Sequence, residues 1–137
     1  MAMKKLFGKD KAAPAPITGP VIAESTHIRA VNCEGVVVAT VLTPRVSDHE
    51  STPLTNELLS AAAGYNNRLV LDLTPVTMLA SAGIGMLVQL HNACAAGGGK
   101  LVVAGLDKDI HEMLSMTRMD KLLTLADTPA AGRATFK

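Results

Sequence analysis

One hydroxyl is set apart by its surroundings. Residues 80 to 85 read Ala80-Ser81-Ala82-Gly83-Ile84-Gly85, between an apolar strand-like run and a long helix-like run without charge. Ser81 therefore falls at a helix N-terminus, where the first N–H groups lack intrahelical acceptors and the dipole favours an anion. A phosphate on Ser81 would suit its own helix while bringing close to two negative charges to an apolar surface. Those residue types describe a binding surface with a switchable serine. The plainer alternative is that Ser81 is only the helix N-cap, worth about 1 kcal/mol.

Catalytic patterns fit less well. Gly83 and Gly85 follow a strand as in a dinucleotide fingerprint, but the third glycine position is Val88. A phosphate loop ending in Gly99-Lys100 would need its first glycine where Cys94 stands, and it would follow a strand, not a helix. Ser81 as a hydrolase nucleophile needs glycine at 79 and 83, and position 79 is Leu79. Asp72 and His111 could complete a triad only through tertiary geometry. Asp72 reads better as a strand end that fixes the loop after it. His91 and Cys94 share a helix face three residues apart, without an obvious third metal ligand. The expectation is a chain with no catalytic residues, no metal and no cofactor.

Composition narrows the partners. The 137 residues suit one domain, 48% hydrophobic but only 2% aromatic, so Val, Leu, Ile, Ala and Met must build the core. Net charge is +1, distributed unevenly. Residues 1–20 carry Lys4, Lys5, Lys9 and Lys11 against Asp10, whereas residues 21–137 carry nine basic and eleven acidic side chains. Without a basic stripe or stacking aromatics in the domain, nucleic acid is not an expected partner. Cys33 and Cys94 are too few for a disulfide framework and fit free thiols in a reducing cytoplasm. Leu73 to Gly99 lacks charge, but Pro75, Gln89, His91 and Asn92 break it, so stable membrane insertion is not expected. No leader-like apolar run follows the first lysines.

Those residues must be positioned by the elements around them. Residues 1–20, with Ala12-Ala13-Pro14-Ala15-Pro16 and Gly19-Pro20, read as a flexible basic tail. Leu6-Phe7 between lysines could touch an anionic membrane, yet two apolar side chains are too few for stable anchoring. A single domain then covers 21–137. Thr26 to Val31 and Val36 to Leu42 form a hairpin around Asn32-Cys33-Glu34-Gly35. Asp48 or Ser51 caps a helix to about Ala63. Arg68 to Leu73 is a strand, Ser81 opens a helix that closes at Gly97-Gly98-Gly99, and Leu101 to Ala104 is a strand. Asp107 caps a helix carrying Ile110, Met113 and Leu114. Leu122 to Leu125 is a last strand and Asp127 to Thr135 a short helix. The order predicts an α/β fold: a mixed β-sheet of four to five strands covered by helices.

Within the long uncharged helix, Met86, Leu87, Leu90, Ala93 and Cys94 make a core stripe. Ile84, Val88 and Ala95 fall on a second face, which is either buried too or meets a partner. Met113, Met116 and Met119 at threefold spacing fit core packing better than an extension of that surface.

The run from Arg68 to Leu123 resembles the STAS domain family, the anti-sigma-factor antagonists and related sulfate-transporter tails. The likeness rests on Leu71-Asp72-Leu73, then Ser81-Ala82-Gly83-Ile84-Gly85, then Gly98-Gly99-Lys100-Leu101-Val102-Val103, and finally Met119-Asp120-Lys121-Leu122-Leu123, in family order. With the hairpin it spans most of 25–130. One position departs: the acidic residue usual before the serine is Ala80.

The resemblance implies that Ser81 is phosphorylated by an anti-sigma factor serine kinase and dephosphorylated by a PP2C-type phosphatase. It also implies partner contact through Ala82, Gly83, Ile84, Gly85 and Val88 on the helix. Arg45, Ser47 and Asp48 on the loop after the hairpin join that surface. The expected function is that of an anti-sigma factor antagonist acting by partner switching. The alternative is a STAS scaffold subunit without phosphorylation, in a sensory or membrane-associated assembly.

Overall fold

The computed structural model describes residues 19–136. The expected basic tail lies outside these residues up to position 18. In chain order the elements are β1 (Val21–Glu24), β2 (Ile28–Cys33), β3 (Val36–Val41), β4 (Arg45–Val46), α1 (Asp48–Ala63), β5 (Arg68–Asp72) and β6 (Met78–Leu79). Then follow α2 (Ser81–Ala96), β7 (Lys100–Ala104), α3 (Lys108–Met116), α4 (Met119–Leu122), β8 (Thr124–Ala126) and α5 (Pro129–Ala134).

The hairpin forms where alternating apolar residues meet a turn built for it. β2 and β3 pair antiparallel from Ile28↔Val41 to Cys33↔Val36. Glu34 (φ 54°) and Gly35 (φ 87°) supply the two positive φ angles that a tight hairpin turn needs to match strand twist. The Asn32 side-chain carbonyl accepts the Gly35 N–H at 2.8 Å. β1 pairs antiparallel along the outer side of β2. Its four residues are too short to show a period, which is why the sequence did not announce it.

Strands β1-β2-β3-β5-β7-β8 form one six-stranded sheet in that order, and β4 and β6 form a separate parallel pair. β3, β5, β7 and β8 run parallel. The mixed sheet therefore holds as expected, with one strand more than the upper count. The last strand is corrected too. Arg118 enters a left-handed conformation (φ 65°) and Leu122 closes the short helix α4, so the strand starts only at Thr124.

Alternation divides the strand side chains between two layers. Ile28, Ala30, Val37, Ala39, Val41, Leu69, Leu71, Leu101 and Val103 pack with Leu54 and Leu58 of α1, Leu87 and Leu90 of α2, and Ile110 and Leu114 of α3. Val31, Val36, Val38, Val70, Val102 and Ala104 point to the opposite side, with Phe136 against them. α5 lies on that side, capped by Thr128, whose hydroxyl accepts the Ala131 N–H at 3.1 Å. In α2, Met86, Leu87, Leu90 and Cys94 are buried as the core stripe predicts, while Ala93 is only half-buried.

The start of α1 differs from expectation. The N-cap of α1 is Ser47, not Asp48 or Ser51. The Glu50 carboxylate accepts the Ser47 N–H at 2.9 Å and its hydroxyl at 2.6 Å, the return arm of a Ser-x-x-Glu capping box. Asp48 then sits in the first turn, where the dipole favours it. Asp107 does cap α3 as read, accepting the Ile110 N–H at 3.1 Å.

Candidate functional site

Ser81 is placed by three elements that sequence distance keeps apart. β5 ends at Asp72, whose carboxylate accepts the Thr74 N–H at 3.0 Å, the Thr74 hydroxyl at 2.5 Å and the Thr40 hydroxyl at 3.2 Å. The strand-end reading of Asp72 holds. Leu73 and Val76 bury themselves in the core, so the loop after β5 is anchored rather than loose.

The loop then zips against the segment before α1. β4 and β6 pair parallel as Arg45↔Met78 and Val46↔Leu79. The Thr77 and Met78 N–H groups both donate to the Pro44 carbonyl, at 2.8 and 3.2 Å, and the Ala80 N–H donates to the Val46 carbonyl at 2.9 Å. This pairing brings the candidate loop Arg45, Ser47 and Asp48 beside the start of α2. Sequence alone could not join them.

Ala80 is the N-cap of α2, with extended backbone (φ −82°, ψ 178°) and a carbonyl that accepts the Gly83 and Ile84 N–H groups. The N-cap role considered for Ser81 is therefore corrected: Ser81 is the first helical residue. Its side chain is exposed and α2 has no side-chain cap bond. Among the described residues, the Ser81 and Ala82 N–H groups have no backbone acceptor. Both point out of the helix end.

Gly83 is buried, and its role is spacing. A Cβ there would lie 2.6 Å from the Leu79 side chain and 3.1 Å from the Val46 carbonyl oxygen. Absence of a side chain lets α2 approach the β4–β6 pair. Of the other helix residues expected at a partner surface, Gly85 is exposed and Ala82, Ile84 and Val88 are half-buried. Ile84 also packs partly on the core. Ala82 lines a notch of about 110 Å³ between α1 and α2, with Thr55, Asn56, Met86 and Gln89.

The loop residues divide in the same way. Arg45 and Asp48 are exposed, whereas Ser47 is half-buried and its hydroxyl is committed to Glu50. That bond is the largest reason why the Glu50 carboxyl is held below the ordinary glutamate range. Sequence reading missed Met78 and Leu42, which are 52% and 41% exposed at this end of the sheet. Met78 is an isolated apolar residue between Thr77 and Leu79, and only its outward register opposite Arg45 reveals it. The methionine stripe splits: Met113 and Met119 pack partly on the core, and Met116 is 82% exposed.

The other chemical candidates do not converge. His111 borders a crevice with Leu106, Leu125, Ala126 and Asp127, and no hydrogen bond links it to Asp72 or Ser81 among the described residues. Cys94 is fully buried, and burial pushes its thiol pKa up. No group of three metal-ligating side chains occurs among the described residues. No helix among them is long and apolar enough to cross a membrane.

Comparison with known proteins agrees with this architecture. Solved structures that share the fold include these three. A Thermotoga maritima protein described as a candidate anti-sigma factor antagonist has a TM-score of 0.70 at 16% identity, over 81% of this chain and 97% of its own. An anti-sigma-factor antagonist (STAS) domain protein of Planctomyces limnophilus has a TM-score of 0.69 at 22% identity, over 80% and 98%. The murine anion transporter Slc26a9 has a TM-score of 0.64 at 14% identity, over 98% of this chain but 24% of the transporter. The STAS domain family model matches residues 28–132, which include both zipped loops and Ser81. The chain belongs to the STAS domain family.

Proposed function

We propose that this protein is an anti-sigma factor antagonist that works by partner switching. With Ser81 unmodified, the start of α2 and the Arg45–Asp48 loop bind an anti-sigma factor serine kinase. The kinase transfers the γ-phosphoryl group of ATP to the Ser81 hydroxyl, and a PP2C-type phosphatase removes it. The observation that carries this reading is the state of Ser81: an exposed hydroxyl, not used as a cap, on a helix start clamped by the Ala80–Val46 bond.

The switch is electrostatic. The helix faces its partner with uncharged residues, and a phosphate dianion loses its water on entering such an interface unless a cation compensates it. In the free protein the same phosphate is tolerated, because unpaired N–H groups of the first turn and the helix dipole face it. The reading is non-enzymatic: Asp72, the strand-end carboxylate, is occupied by Thr40 and Thr74.

A second reading, an unphosphorylated interaction subunit, is favoured by Ala80 at the position where the family places an acid. Incubation with the cognate anti-sigma kinase and ATP separates the two. One added phosphate, mapped to Ser81 and lost in Ser81→Ala, supports partner switching. No labelling by an active kinase, or labelling at Thr77, supports the scaffold.

A further inference from the structure

Two neighbouring strands send the chain to opposite faces of the sheet, and a crevice opens where they part. β7 and β8 run parallel, in register from Val102↔Thr124 to Ala104↔Ala126. After β7 the chain enters α3, whose Ile110 and Leu114 pack in the core with α1 and α2. After β8 it enters α5 on the other face, where a Cβ on Gly132 would lie 3.0 Å from Val70 and 3.2 Å from Val102. Such a divergence leaves room for a ligand outside the carboxyl ends of parallel strands, because no connection crosses the gap. The crevice there has a volume of about 190 Å³ and is lined by Leu106, His111, Leu125, Ala126 and Asp127.

Its walls are held by contacts that need no ligand. Gly105 turns the chain out of β7 at φ 74°, and a Cβ there would lie 2.6 Å from the Asp72 carboxylate. That close approach sets the β7 loop against the anchored loop after β5. The Asp107 carboxylate is occupied by the Ile110 N–H at 3.1 Å, and Thr128 caps α5. Asp127, between those two helix starts, is exposed and has no ion-pair partner among the described residues.

Charge decides what fits. Segments 101–107 and 122–132 contain Asp107 and Asp127 but no Lys or Arg, and Lys108 is offset by Asp109 and Glu112. An anion would meet carboxylate without a compensating cation. A metal ion would find only His111 and Asp127, and no group of three ligating side chains occurs among the described residues. An ammonium group is better matched. Asp127 accepts its N–H donors with charge assistance, and the neutral imidazole of His111 offers a further acceptor. Leu106, Leu125 and Ala126 cover its hydrocarbon. A cavity of about 150 Å³ admits one benzene ring, so this volume suits a body of that size.

We propose that this crevice is a binding site for a small organic cation, an ammonium group carried on one ring or a short chain. The site uses none of the residues assigned to partner switching, so either reading can fail without the other.

Titration of the nitrogen-15-labelled full chain with benzylammonium chloride, followed by amide chemical shifts, tests it. Saturable shifts are expected at Leu106, His111, Ala126 and Asp127. The dissociation constant should be on the order of 1 mM, which about eight non-hydrogen atoms can supply. Benzoate, the same ring with the opposite charge, should shift none of these amides. Asp127→Asn should weaken benzylammonium binding by roughly tenfold, the worth of one charge-assisted hydrogen bond, and His111→Ala by several-fold. Both variants should melt like the parent because both side chains are exposed. Nα-acetyl-lysine amide, which mimics a lysine on a protein surface, should bind more weakly than benzylammonium. The proposal is overturned by no saturable shift at about 20 mM, well above the expected constant. Benzoate binding as tightly, or unchanged affinity in folded Asp127→Asn, overturns it too. Tighter binding of acetyl-lysine amide also overturns it, by making the crevice a contact for a protein partner.

Discussion

The Ala80 N–H donates to the Val46 carbonyl at 2.9 Å, and this one bond joins the residue before Ser81 to the loop that carries Arg45 and Asp48. Segments more than thirty residues apart thereby become one surface. The bond is backbone-to-backbone, so its cause is the parallel pairing of β4 with β6 and not any side-chain motif. Whatever binds Ser81 therefore meets the loop as well.

Closeness at Gly83 makes the first prediction. Gly83→Ala should gain helix propensity, worth up to about 1 kcal/mol. The overlap of its Cβ with Leu79 and the Val46 carbonyl should outweigh that gain. A net loss of about 1–3 kcal/mol is expected in urea unfolding, typical of overpacking. A stability equal to the parent would mean that α2 can slide away from the β4–β6 pair.

Ala80 makes the second. An Asp there sits at an N-cap with the extended backbone that capping side chains use, so Ala80→Asp should raise stability by about 0.5–2 kcal/mol. Under the partner-switching reading it also restores the family's acidic residue and should speed Ser81 phosphorylation in a timed kinase assay. Ser81→Ala should change stability by less than about 0.5 kcal/mol, because the hydroxyl is not a cap. A larger loss would return Ser81 to a structural role.

The third concerns the uncharged face of α2. Val88→Lys and Ile84→Glu should each weaken kinase binding by several-fold or more in a titration, since each places an unpaired charge in the proposed interface. Val88 is the cleaner probe because Ile84 also packs on the core. Circular-dichroism melts run alongside would show Ile84→Glu losing stability as well. Unchanged affinity in folded Val88→Lys would move the contact to Arg45, Met78 and Leu42.

The fourth is a pH dependence at the start of α1. Ser47 hydrogen bonds lower the Glu50 pKa in the folded chain, so the unfolded chain binds more protons near that range. This contribution to stability is present above the ordinary glutamate pKa and is lost as pH falls through the lower folded value. Glu50→Gln should flatten that acid limb of the melting temperature against pH by lowering stability near neutrality while leaving it little changed at acid pH. Ser47→Ala, which removes the largest cause of the shift, should flatten the same limb.

Much of this architecture was legible locally. The β2–β3 hairpin could be read from its apolar runs and Glu34-Gly35 turn, and α2 from its apolar spacing and glycine stop. Asp107 could be read as a cap because a side chain three residues from its target needs no tertiary help. The Ser47–Glu50 box was equally present in the chain, as Ser-x-x-Glu, and was overlooked beside the more conspicuous Asp48. Ser81 stood out because an uncharged helix makes its first hydroxyl conspicuous.

Tertiary structure decided the rest, and the reason is the range of the forces. β1, β4 and β6 are two to four residues long, too short for any period, and exist only because neighbouring strands accept their hydrogen bonds. Whether Gly83 was a surface contact or a spacer depended on where Leu79 and Val46 lie, which no local pattern encodes. The outward face of Met78 follows from its register opposite Arg45. His111 and Asp127 are ordinary polar residues in sequence, and only the departure of α3 and α5 toward opposite faces of the sheet opens a crevice between them. Sequence patterns report how a segment relates to its own axis; packing alone reports what lies beside it.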